Sequence, residues 1–176
     1  MTPARSAIGE TFTSENDAPN PEIEVRREEI ASPVAAVLIS ALNDELSAVY
    51  PEPGATHFCL DPEEVAEGRG AFFIASVNGR AVGCGAIRRL DADTAEIKRM
   101  YVEPGARGQG VGRAVLAALE AEGRRLGVTR IMLETGERQV EALALYSRAG
   151  FVRIPAFGEY VASPLSLCMG KEVSER

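Results

Sequence analysis

The amino-acid sequence predicts an α/β (α+β) domain in which a mixed, mostly antiparallel sheet carries helices on both faces. Segments 71–77, 80–90 and 94–102 are rich in β-forming residues and are separated by short turns, so we expect an antiparallel meander. Segments with helical spacing of apolar residues lie on both sides of this meander. A helix between 94–102 and a further strand at 129–134 makes those two strands parallel neighbours joined by a crossover.

The predicted order of elements is β-α-α-β-β-β-α-β-α-β-β. The first strand is expected at 23–27, where apolar and charged residues alternate. Ser32 is a good N-cap and Pro33 is favoured at the first helical position, so a helix begins there. A capping box that starts at Asp61 predicts a second, short helix that ends near Gly68.

The second half of the chain begins with a strong hairpin signal. Asn78-Gly79 separates two β-rich segments and defines the first turn of the meander. After the meander, a glycine-rich loop leads into a helix that ends near Gly127. The remaining predicted elements are a strand at 129–134, a helix at 139–149, and strands at 151–154 and 165–170.

The chain of 176 residues fits a single domain, which we expect to span 21–176. Residues 1–20 are rich in Ser, Thr, Pro, Asn and Asp and are expected to be disordered. They lack the apolar stretch of a secretory signal, and no apolar run of the chain is long enough to span a membrane. Three widely spaced cysteines favour reduced thiols in a cytoplasmic protein over a disulfide framework.

The net charge of −7 argues against a nucleic-acid partner, because proteins that bind nucleic acids usually present a basic face. The acidic balance suits a cationic amine as substrate. No group of Cys, His, Asp and Glu has the spacing of a metal site, so we expect no metal cofactor. Both a monomer and a homodimer are compatible with the sequence.

The loop Arg107-Gly108-Gln109-Gly110-Val111-Gly112 lies between a predicted strand and a predicted helix. The first N–H groups of a helix lack intrahelical partners and lie at the positive end of its dipole, and glycines let an anion approach the backbone. The loop therefore predicts a phosphate site. A Walker loop is excluded, because no Lys and Ser/Thr follow Gly110. A dinucleotide-binding loop, which has a different glycine spacing, and a glycine turn without a ligand are the alternatives.

Three segments together resemble the GNAT superfamily of N-acetyltransferases. They are Ala95-Glu-Ile-Lys-Arg-Met-Tyr-Val102, the glycine loop with Arg107, Gly110 and Gly112 at its motif positions, and Leu143-Ala-Leu-Tyr-Ser-Arg-Ala-Gly-Phe151. The resemblance implies acetyl-CoA (coenzyme A) as co-substrate, with its pyrophosphate bound by backbone N–H groups of 107–112. It implies that the pantetheine arm pairs with the 94–102 strand, where a splay from the 129–134 strand admits it. The backbone of Met100, Tyr101 and Val102 would then polarise the thioester carbonyl.

The resemblance also implies the catalytic groups. Tyr146 is the candidate acid, since family members point a tyrosine hydroxyl from this position at the coenzyme sulfur; the alternative is a core tyrosine. Glu134 is the candidate base, because it ends a parallel strand and precedes Tyr146 by 12 residues, as in ribosomal-protein N-acetyltransferases of this family. Glu96 is the alternative base, although a cross-strand ion pair with Arg88 would also explain it. Gln139 stands where many family members have an asparagine that contacts the coenzyme.

Three further residues are candidates for the acceptor site. His57, the only histidine, lies in a loop where family members often contact substrate, although a lone loop histidine is more often simply exposed. Phe157 and Tyr160 lie in a segment longer than a tight hairpin needs, and we expect them to wall an acceptor pocket. This segment and Leu133-Glu-Thr-Gly136 resemble a bacterial subgroup of small acetyltransferases, some of which are described as indole-acetate acetyltransferases.

The predicted function is transfer of an acetyl group from acetyl-CoA to a primary amine of a small molecule or peptide, by direct attack in a ternary complex. A coenzyme-binding sensor or interaction module without turnover is the alternative from another class. Transfer of a different acyl group is a third possibility. The residues leave the acceptor itself open, including a hydroxyl in place of the amine.

Overall fold

A seven-stranded sheet forms the centre of the structure, a computed structural model that describes residues 20–53 and 59–173. Its strands are β1 (Ile23–Glu28), β2 (Gly70–Val77), β3 (Arg80–Arg89), β4 (Thr94–Val102), β5 (Arg130–Gly136), β6 (Val152–Ile154) and β7 (Ser166–Glu172). The helices are α1 (Pro33–Val49), α2 (Val111–Arg125) and α3 (Val140–Arg148). The expected disorder of residues 1–20 concerns a segment that lies, apart from residue 20, outside the described residues.

The strands are arranged in the order β1-β2-β3-β4-β5-β7-β6. Every neighbouring pair is antiparallel except β4 and β5, which are parallel and are connected through α2. Asn78 and Gly79 have φ values of 49° and 81°, as the tight turn between β2 and β3 requires. The predicted meander, its hairpin turn and the parallel pair are therefore confirmed.

Helices cover both faces of the sheet. Ser32 begins α1 as predicted: its hydroxyl accepts a hydrogen bond from the Ala35 N–H at 3.2 Å, and Pro33 is the first helical residue. Buried apolar side chains of α1 pack on one face, and those of α2 pack on the other together with Tyr146 of α3. None of the helices in the described residues is long and apolar enough to cross a membrane.

A β-bulge interrupts β4 next to the functional region. Arg99 and Met100 of β4 lie opposite the single residue Gly85 of β3. Arg99 has a φ of 56°, which is uncommon for a residue other than glycine. A Cβ at Gly85 would lie 2.9 Å from the Met100 sulfur, so the glycine gives the bulged strand room to pack against α2. The bulge breaks the regular alternation of side chains in β4 after Lys98.

The predicted α-helix at 61–68 is wrong in type and length. The structure has a four-residue 3-10 helix, Pro62–Val65, so α1 is the one α-helix between β1 and β2 among residues 20–53 and 59–77. The capping signal is real, because Glu64 accepts a hydrogen bond from the Asp61 N–H at 2.9 Å. The turn cannot continue, since Ala66 is already extended and Gly68, with φ 80°, redirects the chain into β2.

Candidate active site

The two parallel strands separate halfway along β4. Residue pairing between β4 and β5 ends at Ile97 and Leu133, although both strands continue beyond this point. Within the described residues, the β5-facing edge of 98–102 therefore has no strand partner. Unpaired backbone groups at such an edge are able to bind an extended ligand as an additional strand. The structure thus contains the splay that the sequence analysis expected.

A cleft opens where the strands separate. Its walls come from α1, from the separated parts of β4 and β5, from α3 and its N-cap residue, and from the segment that leads into β7. Lining side chains and backbone belong to Leu42, Leu46, Tyr50, Ile97, Lys98, Arg99, Met100, Glu134, Thr135, Gly136, Gln139, Tyr146, Tyr160, Leu165 and Ser166. The fold therefore brings five sequence-predicted site residues together here: Met100, Glu134, Gln139, Tyr146 and Tyr160.

The β4 edge offers mainly its backbone to the cleft. The side chains of Met100 and Val102 pack into the core beneath α2, and the Tyr101 side chain packs beneath α1 with only 7% of its surface exposed. The Val102 carbonyl accepts a hydrogen bond from the Arg107 Nε at 2.9 Å. The predicted contribution of these strand residues is a backbone one, and their packing is compatible with it.

The three glycines of the loop have different physical roles. Gly108 and Gly110 have φ values of 76° and 91°, which strain any residue with a side chain. A Cβ at Gly108 would meet no atom within 4 Å, and one at Gly110 would meet only Ile23 at 3.9 Å, so the space above both glycines is open. A Cβ at Gly112 would instead lie 3.2 Å from Leu145, which shows that this glycine lets α2 approach α3.

The loop ends at the N-terminus of α2. Gly110 is its N-cap and has no side chain to satisfy the first N–H groups, and no acidic residue lies in the first turn. Val111 is buried and anchors the helix start in the core, and Gln109 donates to the Gly105 carbonyl at 3.3 Å. The positive end of the α2 dipole therefore lies at this loop, and the space next to it is open to an anion.

Arg107 connects the loop to the surrounding helices through its side chain. Its guanidinium bonds to Glu45 of α1 at 2.6 Å and lies 3.5 Å from Glu141 of α3. With the contact to the Val102 carbonyl, these bonds occupy all three nitrogens. The arrangement favours a backbone role for Arg107 toward an anion, as the motif implies.

Tyr146 lies on α3, where its ring is buried in the core and its small exposed part borders the cleft. Only 5% of the residue is exposed, and the ring packs edge-to-face against Phe151 with centroids 6.0 Å apart. Burial raises the pKa of the Tyr146 hydroxyl, and the nearby charge of Glu134 raises it further. The position of Tyr146 is therefore compatible with both interpretations of the sequence, a core tyrosine and a catalytic acid, because the residue packs in the core and also borders the cleft.

Glu134 lies on β5 where the strands separate. Burial raises the pKa of its carboxyl to about 7, while Ser166 and the Lys98 ammonium partly offset the effect of burial. The Glu96 and Glu159 carboxylates act in the same direction as burial. A carboxyl with a pKa near 7 can exchange a proton at neutral pH, as a general base requires.

Glu96 lies on β4 and is fully buried. Its carboxylate accepts a hydrogen bond from Arg88 Nε at 2.9 Å, lies 2.7 Å from Arg88 Nη2 and accepts a short hydrogen bond from the Tyr160 hydroxyl. Arg88 is the directly opposite residue in β3 and also binds Glu64. The predicted cross-strand ion pair is confirmed. Because these partners engage both oxygens of Glu96, the geometry favours Glu134 as the base.

Tyr160 and Phe157 contribute differently to the acceptor side. Tyr160 is buried, lines the cleft and accepts a hydrogen bond from the Lys98 ammonium at 3.0 Å. Phe157 packs edge-to-face on Tyr160 with centroids 5.2 Å apart and does not itself line the cleft. Phe157 is therefore a support for the wall and not part of its surface. The third candidate, His57, lies outside the described residues.

Gln139 and Tyr50 border the same end of the cleft. Gln139 is the N-cap of α3 and makes no capping hydrogen bond with its side chain. The Tyr50 hydroxyl accepts a hydrogen bond from the Arg138 N–H at 3.1 Å, and the ring packs over Gly136, where a Cβ would overlap it. Lys98, Arg99 and the α1 leucines also line the cleft, and the sequence did not predict them as site residues.

Comparison with known proteins shows which family has this architecture. The model of the Acetyltransferase (GNAT) family matches residues 36–151. The chain is 37% identical over 152 residues to the IAA acetyltransferase of Azospirillum brasilense, which covers 86% of this chain and 98% of that protein. The chain belongs to the GNAT acetyltransferase family.

Two solved structures agree with this GNAT assignment. One, from Klebsiella pneumoniae, is assigned as an acyl-CoA N-acyltransferase; it is 34% identical, has a TM-score of 0.71 and covers 85% of this chain and 97% of that chain. The other is a GNAT acetyltransferase from Elizabethkingia anophelis with acetyl-CoA bound. It is 18% identical, has a TM-score of 0.61 and covers 86% of this chain and 98% of that chain, so it supports the fold alone.

The residues of this GNAT acetyltransferase fit the acetyl-CoA that its family uses as co-substrate. The glycine loop leaves room for a pyrophosphate at a helix N-terminus. Residues 98–102 of β4, which have no strand partner on the β5 side, offer an edge along which an extended ligand can pair. Thr135 lines the cleft, and its buried hydroxyl oxygen has no hydrogen-bond partner among the described residues. A buried hydroxyl normally has a hydrogen-bond partner, and a polar ligand in the cleft would supply one.

Proposed function

We propose that this GNAT acetyltransferase moves the acetyl group of acetyl-CoA to a primary amine of a small molecule or peptide, by direct attack in a ternary complex. The observation that carries the proposal is that Glu134 and Tyr146 border one cleft, at the place where β4 and β5 separate. Direct attack needs a group that takes a proton from the amine and a group that stabilises the departing sulfur. The cleft has a candidate for each.

In the proposed reaction, Glu134 takes a proton from the ammonium group of the acceptor, which leaves a neutral amine that attacks the thioester carbon. Backbone N–H groups at the unpaired β4 edge, around Met100, stabilise the negative charge that develops on the carbonyl oxygen. The carbon–nitrogen bond forms and the carbon–sulfur bond breaks. Tyr146 donates a hydrogen bond and then its proton to the departing sulfur, and it regains a proton from the second N–H that the attacking nitrogen loses, so the products are an amide and a free thiol.

The electrostatics of the cleft support Glu134 as the base and limit how Tyr146 can act as the acid. The Glu134 carboxyl has a pKa of about 7, so an appreciable fraction is ionised at neutral pH and can accept a proton. The raised pKa of the Tyr146 hydroxyl keeps it protonated and able to donate a hydrogen bond, but it also makes the hydroxyl a weaker acid, so it passes a proton to the sulfur only as it receives the one that the nitrogen loses. Glu96 has a supporting role, because its carboxylate binds both Arg88 and the Tyr160 hydroxyl and so fixes the position of Tyr160 in the wall of the cleft.

The test is release of free thiol from acetyl-CoA in the presence of a panel of primary amines and amino acids, with matched alcohols as controls. Amine-dependent thiol release, with the amide product identified by mass spectrometry, is the expected result. Thiol release that depends only on the alcohols would replace the amine by a hydroxyl acceptor. Acetylation of the protein itself in the absence of acceptor would contradict the ternary complex.

A further inference from the structure

Two consecutive cationic residues of β4 lie in the part of the cleft that Tyr160 also lines. Lys98 and Arg99 both line it, although successive residues of a regular strand point to opposite faces. The β-bulge explains this, because the extra residue in β4 directly after Lys98 breaks the alternation between Lys98 and Arg99. A non-glycine residue at a φ of 56° is a strained arrangement that natural proteins retain mainly at functional sites.

Lys98 is the more deeply placed of the two cations. Only 8% of the residue is exposed, and its ammonium donates to the Tyr160 hydroxyl at 3.0 Å and to Glu159 at 3.1 Å. An ammonium has three N–H donors, and the Glu96 carboxylate is beyond hydrogen-bond distance at 3.9 Å. Among the described residues, one donor of Lys98 is therefore left for an anionic group that enters the cleft.

Glu159 is the anion that an acceptor would compete with. Its side chain is 44% exposed, whereas that of Lys98 is 6% exposed, so the carboxylate approaches the ammonium from the solvent side. Glu159 itself is partly solvated, so it loses little when it moves away, and an incoming carboxylate keeps the buried ammonium paired. A carboxylate of the acceptor can displace or share this contact at small energetic cost.

From this geometry we infer that the acceptor is an amino carboxylate, such as an amino acid, whose carboxylate binds Lys98 and Arg99 while its amine lies at Glu134. The inference rests on the proposed function, and it narrows the acceptor from any primary amine to one with an anionic group. The apolar wall formed by Leu42, Leu46 and Leu165 lies in the same cleft and suits an apolar part of such a molecule. Lys98 and Arg99 are thus specificity-determining residues.

The experiment measures binding and turnover separately. Protein saturated with coenzyme A is titrated by calorimetry with a panel of L-amino acids, each paired with its C-terminal amide, which keeps the amine and side chain but lacks the anionic group. At least one acid should bind roughly 10–100-fold more tightly than its amide, the effect expected of a charge-assisted contact. Amides that bind as well as their acids throughout the panel, or a panel in which no acid binds, would overturn the inference.

Variants identify the residues responsible. Lys98→Met should remove most of the preference for acids over amides, and Lys98→Arg should retain it. Lys171→Met is the matched control, because Lys171 also loses an ion pair, to Glu120, but does not line the cleft. If Lys98→Met does not fold, Arg99→Asn decides the question, since asparagine tolerates a positive φ. A preference that survives in the folded variant would overturn the assignment.

The same panel distinguishes this inference from the proposed function. Binding of acids in preference to amides without any thiol release from acetyl-CoA would support the carboxylate site and contradict the amine-transfer proposal. Thiol release with amides or simple amines at rates equal to those with acids would support amine transfer and contradict the carboxylate site.

Discussion

Ile97 and Leu133 form the last residue pair between β4 and β5, and the candidate active site lies directly beyond it. Both side chains are buried in the core beneath α2, so the sheet is closed up to this point and open after it. A ligand that enters the opening can pair with the β4 backbone and still reach Glu134 and Tyr146. In the proposed function, the end of strand pairing is the feature that would position the coenzyme arm relative to Glu134 and Tyr146.

The first prediction concerns coenzyme binding. Acetyl-CoA should raise the melting temperature of the protein, because a ligand that binds only the folded state stabilises it by about 2.7 kcal/mol at a concentration of 100 times its Kd. Differential scanning fluorimetry at increasing acetyl-CoA concentrations measures the effect. Adenosine, which lacks the phosphates, should have little effect. Stabilisation by NADH and none by acetyl-CoA would return the loop to the dinucleotide-binding alternative.

A second prediction tests the glycine loop. Gly110→Glu should abolish acetyl-CoA binding, since it places a carboxylate in the open space above the N-terminus of α2. Gly127→Glu is the matched control: Gly127 also has a positive φ, 79°, and open space around it, but it follows the other end of α2. Both variants carry similar backbone strain, and only the Gly110 variant should lose binding in calorimetry. Equal affinity in the two would remove the loop from the site.

The sequence predicts best where a local signal decides the structure. The Asn78-Gly79 turn, the bounds of β4 and the Arg88–Glu96 pair each follow from neighbours in the chain or from the register that a tight turn imposes. The short helix at 61–68 has a genuine capping signal, yet its length depends on where the chain must turn to join the sheet. A cap shows where a helix begins and carries no information on where it ends.

The residues that sequence reasoning missed depend on irregular geometry or on long-range packing. Alternation along a strand places Lys98 and Arg99 on opposite faces, and the bulge that brings both to the cleft has no sequence signal in a segment without glycine. Tyr50 and Gly136 lie far apart in the sequence, and their contact becomes visible only when α1 and β5 are placed together. Glu134, by contrast, was predicted at the cleft that it lines, because the ends of parallel strands are a general location for ligand-binding groups.

A third prediction tests the Tyr50–Gly136 contact. Gly136→Ala places a Cβ on the Tyr50 hydroxyl, so the end of α1 must move and unfolding should become easier by ~1–3 kcal/mol, the usual cost of overpacking. Urea denaturation measures the difference. In a Tyr50→Ala background, which removes the ring, the same substitution should cost much less. An equal cost in both backgrounds would show that the contact does not constrain this wall.

A fourth prediction concerns the acid. Tyr146→Phe keeps the ring that packs against Phe151 and removes only the hydroxyl. Turnover should fall about 10²–10⁴-fold, the usual effect of losing a positioned acid or base. Acetyl-CoA affinity should hardly change, because the hydroxyl serves the departing sulfur and not the pyrophosphate. Steady-state kinetics with calorimetry separates the two effects. Full activity in this variant would make Tyr146 a core tyrosine whose function is packing.

The last prediction concerns the base and its pH dependence. Glu134 accepts a proton only when ionised, and burial raises its pKa to about 7. In the wild type, kcat/KM should therefore rise with pH through about 7. Glu134→Gln should lower activity about 10²–10⁴-fold and remove this limb, so that the residual activity follows the ionisation of the acceptor amine.

Glu96→Gln is the control for this assignment. It leaves Arg88 without its opposite charge at a buried site and should destabilise the fold by ~3–5 kcal/mol while the limb near pH 7 persists. Measurement of kcat/KM from pH 5.5 to about 9 for both variants, at a temperature where each is folded, decides between the two carboxylates. Loss of the limb in the Glu96 variant, with the Glu134 variant still active and still showing it, would move the base from β5 to β4.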